Sequence, residues 1–124
     1  MVLLAEGYQA LFREWLPKLT EASELPPTEL NTLNIILICV QPALIEELFF
    51  RYLAFRAIRR YASLHLTVWC TAAMFAMAHV YNPLFMPMLL LGGALLGYAR
   101  AGGGLILSMI LHFLYNFCIA FVVV

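Results

Sequence analysis

Charge is scarce in this sequence. Seven basic and seven acidic residues make up 11% of the 124 positions, where a soluble domain carries about a quarter. From Asn31 onward few polar residues remain. A short water-soluble fold leaves much of its surface exposed and needs polar side chains to cover it, so the shortage excludes water as the main solvent and points to lipid. Net charge is also missing, and the basic residues are scattered apart from Arg56, Arg59 and Arg60. No basic stripe exists to hold nucleic acid, which is excluded as a partner. The three cysteines, Cys39, Cys70 and Cys118, form no CxxC and no metal-ligand spacing, so they read as small apolar packing residues. A secretory signal is lacking too, because residues 1–20 intersperse Glu6, Arg13, Glu14 and Lys18 among the apolar positions.

What is present is apolar: 65% of the chain is hydrophobic and the mean hydropathy is +0.92. Within residues 1–20, Leu4, Tyr8, Leu11, Trp15 and Leu19 recur at helical spacing with charged residues on the other faces. That segment is an amphipathic helix too polar to cross a bilayer, placed at the membrane interface or against the other helices. Residues 21–30, with Pro26, Pro27 and three glutamates, read as a loop. The membrane core is expected over 31–124.

Four spans are expected there. The first covers 31–60, with a bend at Pro42 that lipid tolerates when a neighbour satisfies the freed carbonyl. The second covers 63–81 and stops at Asn82-Pro83. The third, 84–99, carries Gly92, Gly93 and Gly97, which let backbones approach closely. Gly102, Gly103 and Gly104 turn the chain into the fourth, 105–124. The fold class is therefore all-α: a polytopic membrane helical bundle of about four transmembrane helices, preceded by an amphipathic interfacial helix. Arg56, Arg59, Arg60 and Arg100 flank the same end of the bundle, which places that end in the cytoplasm.

Against this background the ionisable residues stand out, because a charge near the bilayer centre costs at least about 2.5 kcal/mol. Glu46 and Glu47 are neighbours, so they point about 100° apart and divide their roles. Glu47 and Arg51 lie at i and i+4 and neutralise each other on one helix face. Glu46 keeps no intrahelical partner and is the better candidate for a reactive group. His79 ends the second span, and His112 and Asn116 share one face of the fourth. Counted from the cytoplasmic ends, these residues sit roughly 12–24 Å deep, all inside a hydrocarbon core about 30 Å thick.

Three pieces recur in order: Glu46-Glu47-Leu48-Phe49-Phe50-Arg51 fits EExxxR, Phe75-Ala76-Met77-Ala78-His79 fits FxxxH, and His112-Phe113-Leu114-Tyr115-Asn116 fits HxxxN. Over residues 30–124 the chain resembles the CPBP family, the CAAX-processing and bacteriocin-processing intramembrane proteases also called Abi. The resemblance implies an intramembrane peptidase of the glutamate type. It implies that Glu46 and His79 activate the attacking water, that His112 and Asn116 stabilise the oxyanion, and that Glu47 and Arg51 support the site. It implies a membrane-associated peptide or protein as substrate and a multi-pass integral protein of the lipid bilayer, in a prokaryotic cytoplasmic membrane.

No cofactor is expected. The alternative within the same residues is zinc on Glu46, His79 and His112, although HExxH is absent. Two departures from the family pattern are Tyr52 where relatives carry glycine after the arginine, and a single amphipathic segment where relatives have further helices upstream. The competing functions are a non-enzymatic membrane protein that binds cations or relays protons through the Glu/His cluster, and an inactive scaffold or immunity factor. A neutral amide one turn from a histidine serves an oxyanion better than a proton relay.

Overall fold

The computed structural model describes residues 29–79 and 83–123. The amphipathic helix expected over 1–20 lies outside the described residues, as do most of the 21–30 loop and the Asn82 stop of the second span.

Helix α1 runs Thr32–Arg59. Asn31, in extended conformation, caps it by accepting a hydrogen bond from the Asn34 N–H at 2.9 Å. Two stretches of α1, Ile35–Val40 and Leu48–Ala54, are wound as π-helix, a geometry often found beside functional positions. They flank the α-helical turn that carries Pro42, Glu46 and Glu47. A short turn follows, in which Arg59 Nη1 donates to the Ala62 carbonyl. Ser63 then caps helix α2, Leu64–Ala78, through the Leu66 N–H.

On α2, Thr67, Val68, Thr71, Ala72, Phe75 and Ala76 are buried, a spacing that makes one stripe along the helix. The threonine hydroxyls donate to carbonyls one turn back, so they need no partner elsewhere. A 3₁₀ turn at Pro83–Phe85 leads into α3, Met86–Cys118. Gly93 and Gly97 of α3 lie against that stripe so closely that a Cβ on Gly93 would meet Ala72 Cα at 3.1 Å, and one on Gly97 would meet Val68 at 3.0 Å. Small residues here set the helix spacing, as the sequence predicts.

The third and fourth expected spans belong to one element, α3, broken at Gly104, whose φ of 84° and ψ of 176° are not helical. Contacts on either side of the break run in opposite directions. Before it, Gly93 and Arg100 meet Arg51 and Phe55 in ascending order on α1; after it, His112 and Asn116 meet Glu47 and Ile38 in descending order on the same helix. The glycine turn was therefore legible, and the chain reverses there without a separate loop. Taken as continuous elements, two helices among the described residues are long and apolar enough to cross a membrane, Thr32–Arg59 and Met86–Phe121. The 15 residues of α2 reach about 22 Å.

The packing is inverted relative to a soluble domain. Ile45, Phe49, Leu53, Leu66, Met77, Leu95, Ile106 and Leu114 face outward, while Glu47, Arg51, Thr67, Thr71 and Ser108 are sealed inside. Only 22% and 17% of the two most apolar windows are buried, whereas the core helix of a soluble protein is mostly covered. Apolar solvent outside and polar groups inside is what lipid selects.

Gly104→Ala is expected to destabilise the fold by about 1–3 kcal/mol, because that backbone region is essentially reserved for glycine. Gly102→Ala, in the helical arm with nothing within 4 Å of an added Cβ, should be neutral or stabilising by up to about 1 kcal/mol. Thermal unfolding of both variants in detergent checks the contrast, and equal effects would contradict the reading of the break.

Candidate active site

Three helices bring the sequence-predicted residues to one place. Glu46 and Glu47 come from α1, His79 from the end of α2, and His112 from the second arm of α3. Glu46 Oε1 lies 3.8 Å from His79 Nε2, and Glu46 Oε2 lies 3.7 Å from His112 Nε2. Glu46 and His79 keep 27% and 21% exposure, so water and a substrate can reach them. His112, at 3%, forms the inner wall.

The second carboxylate faces the other way. Glu47 Oε1 accepts from His112 Nδ1 at 2.9 Å, and Glu47 Oε2 lies 3.6 Å from Arg51 Nε, both side chains having no exposure. The two glutamates face different neighbours, yet both reach the same imidazole, one at each ring nitrogen. Sequence reasoning paired Glu47 with Arg51 alone and missed His112, because i and i+4 spacing reports neighbours on one helix only.

Arg51 is held by more than its carboxylate. Its Nη2 donates to the Gly93 carbonyl at 2.9 Å, and its guanidinium carbon stands 4.8 Å from the centre of the Phe75 ring, within the range of a cation–π contact. Phe75 also packs on both imidazoles, with centroids 4.9 Å from His79 and 5.8 Å from His112. The sequence marked Phe75 through FxxxH but supplied no partner for it. At the far end of the motif, Arg100 Nε donates to the Arg51 carbonyl at 3.1 Å and packs over Phe55, so this arginine braces α1 rather than standing in a free basic loop.

Hydrogen bonding fixes the tautomers. A carbonyl only accepts, so His79 Nδ1, 2.9 Å from the Phe75 carbonyl, carries a proton. His112 Nδ1 carries one for the same reason, facing the Glu47 carboxylate. Each ring therefore turns Nε2 toward Glu46. Separations of 3.7–3.8 Å are too long for direct hydrogen bonds and short enough for one water to touch a ring and the carboxylate together.

Asn116 is placed differently. Its Nδ2 donates to the Ile38 carbonyl at 3.2 Å through one of its two N–H groups.

Glu46, His79 and His112 are donors that zinc accepts, and Glu47 behind His112 resembles the carboxylate that orients a metal-bound histidine. Ligands on tetrahedral zinc at 2.0–2.1 Å stand about 3.3–3.4 Å apart, closer than the carboxylate and the two Nε2 atoms here. Among the described residues, no group of three or more His, Cys, Asp or Glu side chains gathers closely enough to hold an ion.

Against known families, the profile described as Rce1-like, type II CAAX prenyl endopeptidase, matches residues 28–118. That stretch contains all three motifs and every residue of the cluster. Comparison with curated proteins and with solved structures returns no match.

Removing one member of a buried ion pair strands the other, at a cost of about 3–5 kcal/mol. Glu47→Leu is expected to lower stability by this amount, and Glu47→Leu/Arg51→Leu to regain most of it. A double-mutant cycle of unfolding in detergent measures the coupling; additive losses would contradict the pairing.

Proposed function

Because the chain belongs to the Rce1-like family of type II CAAX prenyl endopeptidases, we propose that the Glu46, His79 and His112 cluster is a proteolytic centre for a membrane-associated peptide. The substrate class that suits the family is a prenylated C-terminal segment, whose lipid tail can lie against the outward-facing apolar side chains. The observation that carries this reading is the pair of imidazoles, each anchored through Nδ1, that turn Nε2 to the same half-exposed carboxylate. The protein sits in the bilayer as a multi-pass bundle, with α1, α2 and the two arms of α3 crossing it.

In the proposed reaction, a water between Glu46 and His79 attacks the scissile carbonyl carbon while its proton passes to Glu46. The resulting oxyanion accepts hydrogen bonds from the second N–H of Asn116 and from Nε2 of His112 when that ring holds both protons. As the C–N bond breaks, the proton taken by Glu46 moves to the leaving amine, and the products are a new carboxyl terminus and a released peptide. Glu47 orients His112 without touching substrate, and Arg51 balances the charge of Glu47. Every step uses side chains of this chain and one water, so the proposal is a glutamate-type peptidase without a metal.

Glu46→Gln keeps the shape and removes the base. It is expected to abolish cleavage of a prenylated CAAX peptide by purified protein while leaving the melting temperature unchanged; undiminished cleavage would overturn the assignment. Activity should also survive strong chelators. Loss on chelation with recovery on adding zinc would instead assign the cluster to a metal.

A further inference from the structure

Pro42 leaves a gap in α1 that another helix fills. In α-helical register the N–H of residue 42 bonds to the carbonyl of residue 38, and proline has no N–H. Just before it, the Gln41 N–H reaches back to the Ile36 carbonyl, the longer step of a π turn. The Ile38 carbonyl takes its hydrogen from Asn116 Nδ2, 78 residues away, at 3.2 Å. In lipid this matters more than in water, since no solvent can satisfy a carbonyl left open.

The placement of this bond gives it a second consequence. Asn116 and His112 lie one turn apart on α3, and they hold α1 on opposite sides of the proline: Asn116 at Ile38 before it, His112 at Glu46 and Glu47 after it. Pro42 is one helical turn from Glu46, so the stretch of α1 held at Ile38 leads directly into the turn that carries the carboxylate.

We infer that Asn116 is a positioning residue for Glu46: its side-chain amide gives the Ile38 carbonyl a donor just before Pro42, which has no N–H of its own, and so holds the stretch of α1 that presents Glu46 to His79 and His112. This role belongs to the N–H bonded to Ile38 and is separate from the oxyanion contact of the other. Its kinetic readout rests on the proposed peptidase reading; its stability readout does not.

The experiment returns the missing donor to α1. Pro42→Ala restores an N–H that can reach the Ile38 carbonyl, so Asn116 should become less important in that background. Asn116→Ala alone is expected to lower the melting temperature in detergent by several degrees and kcat by about a hundredfold or more. Asn116→Ala/Pro42→Ala should recover most of the melting temperature and about tenfold in kcat, the remaining deficit being the lost oxyanion donor. An equal loss of stability from Asn116→Ala in both backgrounds would overturn the brace, and recovery of stability without any recovery of kcat would overturn the positioning of Glu46. If Asn116→Ala alone does not fold, folding of the double variant supports the proposal and its failure to fold overturns it. The melting cycle uses no substrate, so it stays decisive even if Glu46→Gln shows that the cluster is not a peptidase.

Discussion

The Glu47 carboxylate is the tie on which the rest of the site depends. Sealed from solvent and set among apolar helices, it can exist as a charge only with partners, and it has two: the Arg51 guanidinium on its own helix and the His112 ring 65 residues away. An unpaired charge in lipid is expensive enough that this pairing constrains both helices. Arg51 in turn draws in the Gly93 carbonyl from the first arm of α3 and the Phe75 ring from α2. A single buried carboxylate thus connects α1, α2 and both arms of α3, and leaves Glu46 beside it as the carboxylate open to water.

That division gives one helix a sealed carboxylate and a partly exposed one at adjacent positions. Neighbouring residues diverge by about 100°, which sends Glu47 inward to Arg51 and Glu46 toward the opening. His112 lies between them and touches both, so the inner pair orients the ring that the outer carboxylate uses. π-helical turns lie on either side of Glu46 and Glu47, a winding often found beside functional positions.

Much of this was legible in the sequence because lipid makes polar residues conspicuous. The pairing of Glu47 with Arg51, the separate role of Glu46, the turn at Gly102 to Gly104 and the close approach at Gly93 all follow from spacing and residue size. What spacing along one helix does not reveal is a partner on another. His112 reaching Glu47, Asn116 reaching Ile38 and Arg100 reaching the Arg51 carbonyl depend on helix placement that periodicity leaves open. A neighbour was expected to satisfy the carbonyl freed by Pro42, and only the packed helices bring Asn116 to the Ile38 carbonyl beside it. The number of spans was the least direct reading, since Gly104 joins two of them within one element and α2 is short.

The central claim is that this polar cluster, assembled where lipid disfavours it, cuts peptides. Mass spectrometry of membrane and released peptides, from cells carrying the intact protein and from cells carrying Glu46→Gln, tests it most directly. The account predicts new carboxyl termini and short released C-terminal fragments only with the intact protein. Identical peptide termini in the two preparations, with both proteins present and folded, would contradict it.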